Sequence, residues 1–251
     1  MMKINSEISL GGMLDHFTTD EVKAEPMMFN CRGDWAYENG GPITKQFLDR
    51  LLLDANTWGR EGGLIELDDI VFDSRVHMLK IGWFPCIPGF HHDDVPRYRQ
   101  DGQPWYAENE AELVEQELAE HGEHLNGRII NLKEVYRSKH ALALIGDDIC
   151  RTEFALGEAE FNPVERGEIL YKLWHPEVVK HILRGNLDSF NAPMHQVVFF
   201  DDRSWHQGTP AKGSGWRWFG RASWDTDRIE RCTNEIRTQV QVYLENPMEG
   251  W

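Results

Sequence analysis

The chain has 251 residues, with 26 Lys and Arg against 42 Asp and Glu, so its formal net charge is −16. So acidic a chain is not expected to coat a nucleic acid, because phosphate binding depends on clusters of Lys and Arg. Hydrophobic residues make up 41% of the chain and include ten Trp, which is enough for a sizeable core. We expect one domain over residues 1–251.

The cysteines and the N-terminus bear on the compartment. Cys31, Cys86, Cys150 and Cys232 are far apart and form no CxxC pair, a pattern typical of free thiols in a reducing environment. Residues 1–17 hold no apolar core of signal-peptide length, and no run of 18 apolar residues occurs anywhere. These features predict a cytoplasmic protein without a membrane segment.

The first elements in chain order are a helix and a β region. Residues 42–57 begin with Pro42, which suits a first helical turn, and Ile43, Phe47 and Leu51 recur at helical spacing. Residues 70–84 are rich in Val, Ile, Phe and Trp and favour strand structure. The prolines that follow predict an irregular segment after this strand.

An acidic segment then interrupts the β-rich sequence. Residues 107–123 contain seven Glu and no Lys or Arg, with apolar positions on one helical face. We interpret it as part of a helical insertion near residues 100–127. It could be a solvated surface helix, or a lid or acidic wall for a cationic substrate.

Six further runs have the composition of short strands: residues 141–146, 152–161, 169–174, 196–200, 216–224 and 236–244. The last alternates cleanly between two faces. Many short strands, few helices and the absence of GxGxxG predict a mainly β fold with flanking helices, of the sandwich or jelly-roll kind.

The stretch GFHHDDVPR, residues 89–97, places four potential metal ligands in a row. Side chains alternate along an extended chain, so His91 and Asp93 point one way while His92 and Asp94 point the other. Each pair offers one imidazole and one carboxylate. The best third ligand is His206, which follows the strand-like residues 196–200.

Two histidines and one carboxylate on one face of a metal leave open positions for a co-substrate and dioxygen, which suits non-haem Fe(II). A structural zinc site would need a closed tetrahedron, and no cysteine is placed to complete one.

Two arginines follow His206 on the strand-like residues 216–224. Strand alternation places Arg217, Arg221 and Ser223 on one face and the tryptophans on the other. An arginine near the metal could hold a dicarboxylate through a bidentate contact. The alternative is a solvated arginine face beside a buried tryptophan face.

The series HxD, distal His, Arg217 and Arg221-Ala222-Ser223 resembles the Fe(II)/2-oxoglutarate-dependent oxygenases, and is most similar to the taurine dioxygenase and phytanoyl-CoA hydroxylase groups. The run CRTEFALG also looks like the family strand that opens with a 2-oxoglutarate-contacting Thr, here Thr152. The resemblance spans roughly residues 76–224.

This resemblance implies a double-stranded β-helix, a cupin-like jelly roll, with the metal at one mouth of the barrel. It implies that Arg221 pairs with the C5 carboxylate of 2-oxoglutarate, helped by Thr152 or Ser223. Arg217 would lie near the C1 carboxylate or the substrate. The family motif matches His91 and Asp93 best, although a register shifted to His92 and Asp94 stays open.

The predicted function is therefore Fe(II)- and 2-oxoglutarate-dependent oxidation of a C–H bond in a small molecule by dioxygen, releasing succinate and CO2. We expect a hydroxylase in which His91, Asp93 and His206 bind the metal. The acidic composition favours a cationic or amino-acid-like substrate. The alternatives are a hydrolase that binds two metals through residues 91–94, and a non-enzymatic cupin-like binding module.

Overall fold

The computed structural model describes residues 2–57, 64–93, 124–125, 128–129, 138–161 and 170–244. The acidic residues 107–123 lie outside these residues. Of the helical insertion predicted near residues 100–127, only His124–Leu125 are described, and they form a short strand. Within the described part of the chain, no helix is long and apolar enough to cross a membrane.

The fold is mainly β, with antiparallel sheets and a few helices. The strands are β1 (Met2–Ser6), β2 (Ile8–Met13), β3 (Met27–Phe29), β4 (Cys31–Arg32), β5 (Val71–Leu79), β6 (His124–Leu125), β7 (Arg128–Ile129), β8 (Lys139–Gly146), β9 (Thr152–Phe161), β10 (Asp188–Asn191), β11 (Gln196–Asp201), β12 (Trp205–Gly208), β13 (Gly215–Trp224) and β14 (Glu235–Arg237). The helices are α1 (Thr19–Ala24), α2 (Gly33–Asn39), α3 (Pro42–Thr57) and α4 (Leu170–Leu183), with short 3-10 helices at Leu67–Asp69 and Asp227–Arg231.

Two sheets carry the architecture. The larger one has six strands in the order β2-β11-β8-β13-β5-β4, and the smaller one has four, with β9 paired to β1, β10 and β12. The pairs β3–β14 and β6–β7 form two-stranded ribbons. The mainly β prediction is confirmed at this level.

The core shows how the sheets are layered. Alternate residues of β8 and β11 bury opposite faces, as strand geometry requires. Leu142 and Val198 join Phe154 of β9 in one apolar cluster between the two sheets. Ala143 and Phe199 face the other way and pack with α3 in the largest cluster. The six-stranded sheet is therefore covered on both faces.

Helix α3 confirms the helix predicted from periodicity, with the same bounds. Its first turn leaves backbone N–H groups without helical partners. The buried carboxylate of Glu25 accepts from the N–H of Thr44 at 2.8 Å and from that of Ile43 at 3.3 Å. Phe47 on its buried face meets Trp218 of β13 edge-on, with ring centroids 5.8 Å apart. Such aromatic pairs add about 1 kcal/mol beyond the burial of their area.

Two strand predictions were wrong. Residues 170–183 form helix α4 rather than continuing the strand predicted at 169–174. The apolar residues Trp174, Val178 and Ile182 recur every four positions and pack on the small sheet. The six residues 169–174 are too few to distinguish the period of a helix from that of a strand.

The alternating run at 236–244 also departs from the prediction. Only Glu235–Arg237 form a strand, followed later by an isolated bridge between Phe84 and Tyr243. Alternation of side chains does not by itself supply a neighbouring strand whose backbone groups are free to pair. Residues between Arg237 and Tyr243 line a cavity instead.

Candidate metal centre

Backbone pairing holds the HxD segment next to β12. His91 and His206 form an isolated antiparallel bridge, in which each N–H donates to the other residue's carbonyl, at 2.9 and 3.1 Å. Gly89 precedes His91 with a φ of 102°, a left-handed conformation that favours glycine. This turn brings the HxD residues alongside β12.

The structure brings His91, Asp93 and His206 together. One potential ligand atom from each residue lies within 4.8 Å of the others, which is close enough for all three to contact one ion. His92 points away and packs on Trp205, with ring centroids 3.8 Å apart. Asp94 lies outside the described residues. The geometry therefore groups the first HxD pair with the distal histidine.

Both histidine rings are oriented by carbonyl groups. The Nδ1 atoms of His91 and His206 lie 2.9 Å from the carbonyl oxygens of Gly89 and Ser204. A carbonyl can only accept, so Nδ1 carries the hydrogen and a neutral ring is left with its lone pair on Nε2. This is the tautomer that carbonyl partners impose on metal-binding histidines.

The contact between His206 and Asp93 indicates that a cation fits this site. Nε2 of His206 lies 3.1 Å from Oδ2 of Asp93. With the hydrogen on Nδ1, this would place two acceptors against each other. A proton or a metal cation at this point removes the conflict. The donor set therefore fits a divalent ion, and an imidazole–carboxylate set suits iron.

The protonation states also suit metal binding. Burial, followed by the charge of His206, lowers the pKa of His91 to about 4, so this ring is neutral at physiological pH. Burial by itself raises the pKa of Asp93, but Arg221 and then His206 outweigh it and hold that pKa well below its ordinary value. Asp93 is thus a carboxylate when His91 is an imidazole.

Arg221 is tied to carboxylates on both sides. Its Nη1 atom pairs with Oδ2 of Asp93, and its Nη2 atom lies 2.9 Å from Oδ2 of Asp73. Asp73 stands directly opposite Arg221 in the pairing of β5 with β13, and it also accepts from Arg228 at 2.8 Å. Burial raises the pKa of Asp73, but Arg221 and Arg228 more than offset this and lower it to about 2.

Arg217 has a different environment on the same face of β13. It is only 2% exposed, and its Nη1 atom donates to the carbonyl of Cys150 at 2.8 Å. Among the residues that the structure describes, no carboxylate pairs with it. Its neighbour across the strand pair is His77, whose pKa burial and then Arg217 push well below the ordinary value. This end of the site is a buried positive charge beside a neutral ring.

One cavity of about 120 Å³ joins these groups. Its lining includes His91, Asp93, His206, Thr152, Arg217 and Arg221. Six of the seven site residues predicted from sequence thus meet in one space. The structure does not bring Ser223 into it: the Ser223 hydroxyl is fully buried and lies 2.9 Å from Nδ1 of His140.

Several residues of the site had no sequence motif to mark them. Asp73, Arg75 and His77 alternate along β5 and all line the cavity. Strand alternation could have placed them on one face, but only the pairing with β13 shows that this face meets the arginines. His175 also supports the HxD segment, because its Nδ1 accepts from the N–H of Phe90 at 3.0 Å.

The comparisons with known proteins give no family. No family model matches the chain, and no curated protein and no solved structure matches it either. The geometry of the site therefore stands by itself.

Proposed function

We propose that this protein is a non-haem Fe(II)- and 2-oxoglutarate-dependent oxygenase that hydroxylates or otherwise oxidises a small molecule. The single observation that carries the proposal is the convergence of His91, Asp93 and His206 in a cavity that also contains the buried Arg217 guanidinium, which has no carboxylate partner among the described residues. The metal ligands alone would suit several activities. A buried cation in the same cavity, to which no described carboxylate is paired, favours a small anionic co-substrate.

The triad would hold iron through two neutral imidazoles and one carboxylate. The bound metal and 2-oxoglutarate would supply the oxidising power, using dioxygen and releasing succinate and CO2. The chain's own part is to fix the ligands. The carbonyls of Gly89 and Ser204 orient the two rings, and Arg221 holds Asp93 in place while keeping it ionised.

Arg217 is the best partner for the C5 carboxylate of 2-oxoglutarate, and Thr152 lines the same cavity. A guanidinium binds a carboxylate through two parallel hydrogen bonds, and the low exposure of Arg217 makes that pair strong. This exchanges the two roles that the family resemblance implied for the arginines. Arg221 already contacts Asp73 and Asp93, so it serves the metal end.

The fold is compatible with a double-stranded β-helix. Two antiparallel sheets enclose an apolar cluster, and the candidate site lies where β12 of the small sheet approaches β5 and β13 of the large one. A site between two facing sheets at their edge is what a jelly roll offers. We propose this fold type for the protein on that basis.

The decisive experiment adds Fe(II) and 2-oxoglutarate to the protein under anaerobic conditions. We expect a visible metal-to-ligand charge-transfer band, and succinate after air is admitted. The matched control is the His206→Ala protein, which should give neither signal. A folded wild-type protein that yields neither band nor succinate contradicts the proposal.

The same measurements separate the alternatives. A hydrolase with two metals would need all four residues 91–94, yet His92 packs against Trp205 rather than joining the cluster. It would also be indifferent to 2-oxoglutarate. A cupin-like binding module would need neither iron nor dioxygen.

A further inference from the structure

A second, larger cavity adjoins the candidate metal centre. It has a volume of about 350 Å³ and is walled by β3, β5, the segment after Pro85 and residues 237–243. Three residues, Arg75, Cys86 and His91, line both this cavity and the smaller one. A molecule in the larger cavity can therefore reach a metal ligand. Its volume is in the range of sites for small organic ligands.

The charge of this cavity is opposite to that of the protein. Although the chain has a net charge of −16, no Asp or Glu is among the described residues that line the cavity. Arg75 and Arg237 are both in the lining. No carboxylate of the described residues pairs with Arg75. The cavity thus concentrates positive charge in an acidic molecule.

Arg237 is held in a position that leaves it able to bind an anion. Its guanidinium lies over the ring of Phe29, 3.4 Å from the centroid. Its ion pair with Glu235, the one it makes among the described residues, has a distance of 3.4 Å between side chains that are each almost half exposed. Such pairs contribute little, because solvent screens them. A ligand carboxylate could replace this contact at small cost.

Most of the remaining wall is apolar and adaptable. Met27, Met28, Phe29, Ile87 and Val240 are in the lining. Methionine side chains are unbranched and adjust to ligands of irregular shape. The amides of Gln239 and Gln241 add neutral hydrogen-bonding groups. The lining therefore favours a molecule with an apolar body and one anionic group.

We propose that this cavity is the substrate site, and that the substrate is a small organic carboxylate with an apolar body. Arg75 and Arg237 bind the carboxylate while the body extends along the methionines towards His91. That this ligand is the molecule to be oxidised rests on the proposed function, whereas its binding does not. The charge differs from the cationic or amino-acid-like substrate that composition favours.

The test measures binding calorimetrically to the protein without iron or 2-oxoglutarate. The probes are two matched series: phenylacetate, phenylacetamide and phenethylamine, then octanoate, octanamide and octylamine. In at least one series we expect the acid to bind about tenfold or more tightly than its amide, since a charge-assisted contact is stronger than a neutral one. An amine that binds most tightly, equal binding of acid and amide, or no binding in either series overturns the proposal.

Variants locate the bound acid. Arg75→Gln and Arg237→Gln should each weaken acid binding about tenfold and leave the amide unaffected. Arg184→Gln is the matched control, because Arg184, directly after α4, is exposed and is not among the residues that line either cavity, so it should bind no probe. Acid binding that is lost only in Arg217→Gln would put the acid in the smaller cavity and overturn the assignment.

The result is independent of the oxygenase experiment. If acid binding depends on Arg75 and Arg237 but no charge-transfer band or succinate forms, the anion site stands and the proposed function fails. If the band and succinate form but no acid binds, the function stands and the proposed substrate class is wrong.

Discussion

The smaller cavity contains two arginines, Arg217 and Arg221, one at each end. They lie four positions apart on the same face of β13, but their electrostatic surroundings are opposite. At the metal end, Arg221 lies between Asp73 and Asp93 and its charge is compensated within the chain. At the other end, Arg217 is fully buried and donates to a backbone carbonyl. A buried charge is costly unless it is paired, so the second arrangement is explained if an anionic ligand completes it.

The difference comes from the strand register. In the pairing of β13 with β5, Arg221 stands opposite Asp73 and Arg217 stands opposite His77. An acidic partner thus faces one arginine, and a ring kept neutral by burial faces the other. In the proposed function, one end of the cavity positions a metal ligand and the other receives a carboxylate. The following experiments test this division.

The largest effect is expected for the proposed metal ligands. Replacing His91 or His206 with Ala removes a nitrogen ligand, and we expect iron affinity to fall by more than about 100-fold, beyond the loss usual for residues that only support ligands. Equilibrium dialysis followed by metal analysis measures this. His92→Asn is the control and should retain iron binding. If His92→Asn alone abolishes it, the ligands are His92 and Asp94 instead.

The next effect distinguishes the two arginines. Arg217→Gln should raise the 2-oxoglutarate concentration needed for half-maximal charge-transfer absorbance about 100-fold, which corresponds to about 3 kcal/mol for truncating one partner of a buried ion pair. Arg221→Gln should change it only a few-fold. The reverse order would restore Arg221 as the carboxylate partner.

The end of the cavity at which carboxylates pair with Arg221 should contribute to the stability of the fold. Asp73→Asn leaves Arg221 and Arg228 without their shared carboxylate, and the free energy of unfolding should fall by about 3 kcal/mol at pH 7. Denaturant titration measures the difference from wild type. Asp20→Asn, in an exposed pair with Lys23, is the control and should leave stability nearly unchanged.

The stabilisation by Asp73 should also depend on pH in a defined direction. The pKa of Asp73 is about 2 in the folded protein against an ordinary 3.8, so folding favours the ionised form. Its contribution is complete above about pH 5 and is lost as the pH falls through the range between the two pKa values. The stability difference between wild type and Asp73→Asn should therefore shrink in that range. A difference that stays constant there would contradict the assignment.

The smallest effects concern the two hydroxyl residues. Thr152→Val keeps the side-chain shape and should raise the 2-oxoglutarate requirement by about tenfold, the lower end of the value of one hydrogen bond to a charged group. Ser223→Ala removes a partner of His140 outside the cavity, so it should lower stability by about 1 kcal/mol and leave that requirement unchanged. An increased requirement in Ser223→Ala would return Ser223 to the site.

Much of the fold and site could be predicted because both depend on local periods. The alternation in residues 216–224 correctly separated the tryptophan face, which is buried in the core, from the arginine face. Helix α3 was predicted with its observed bounds because a proline and regular apolar spacing mark it. Helix α4 was not predicted because the six residues 169–174, several of them apolar, fit the period of a helix as well as that of a strand.

The sequence by itself determined which residue types the site could contain: an HxD pair, a distal histidine and two arginines on one strand face. Tertiary structure decided which of them meet and with what partners. The bridge between His91 and His206 brought the two histidines side by side, and the register of β5 against β13 paired Arg221 rather than Arg217 with a carboxylate. Register depends on contacts between strands distant in sequence, so the period of each strand does not contain it.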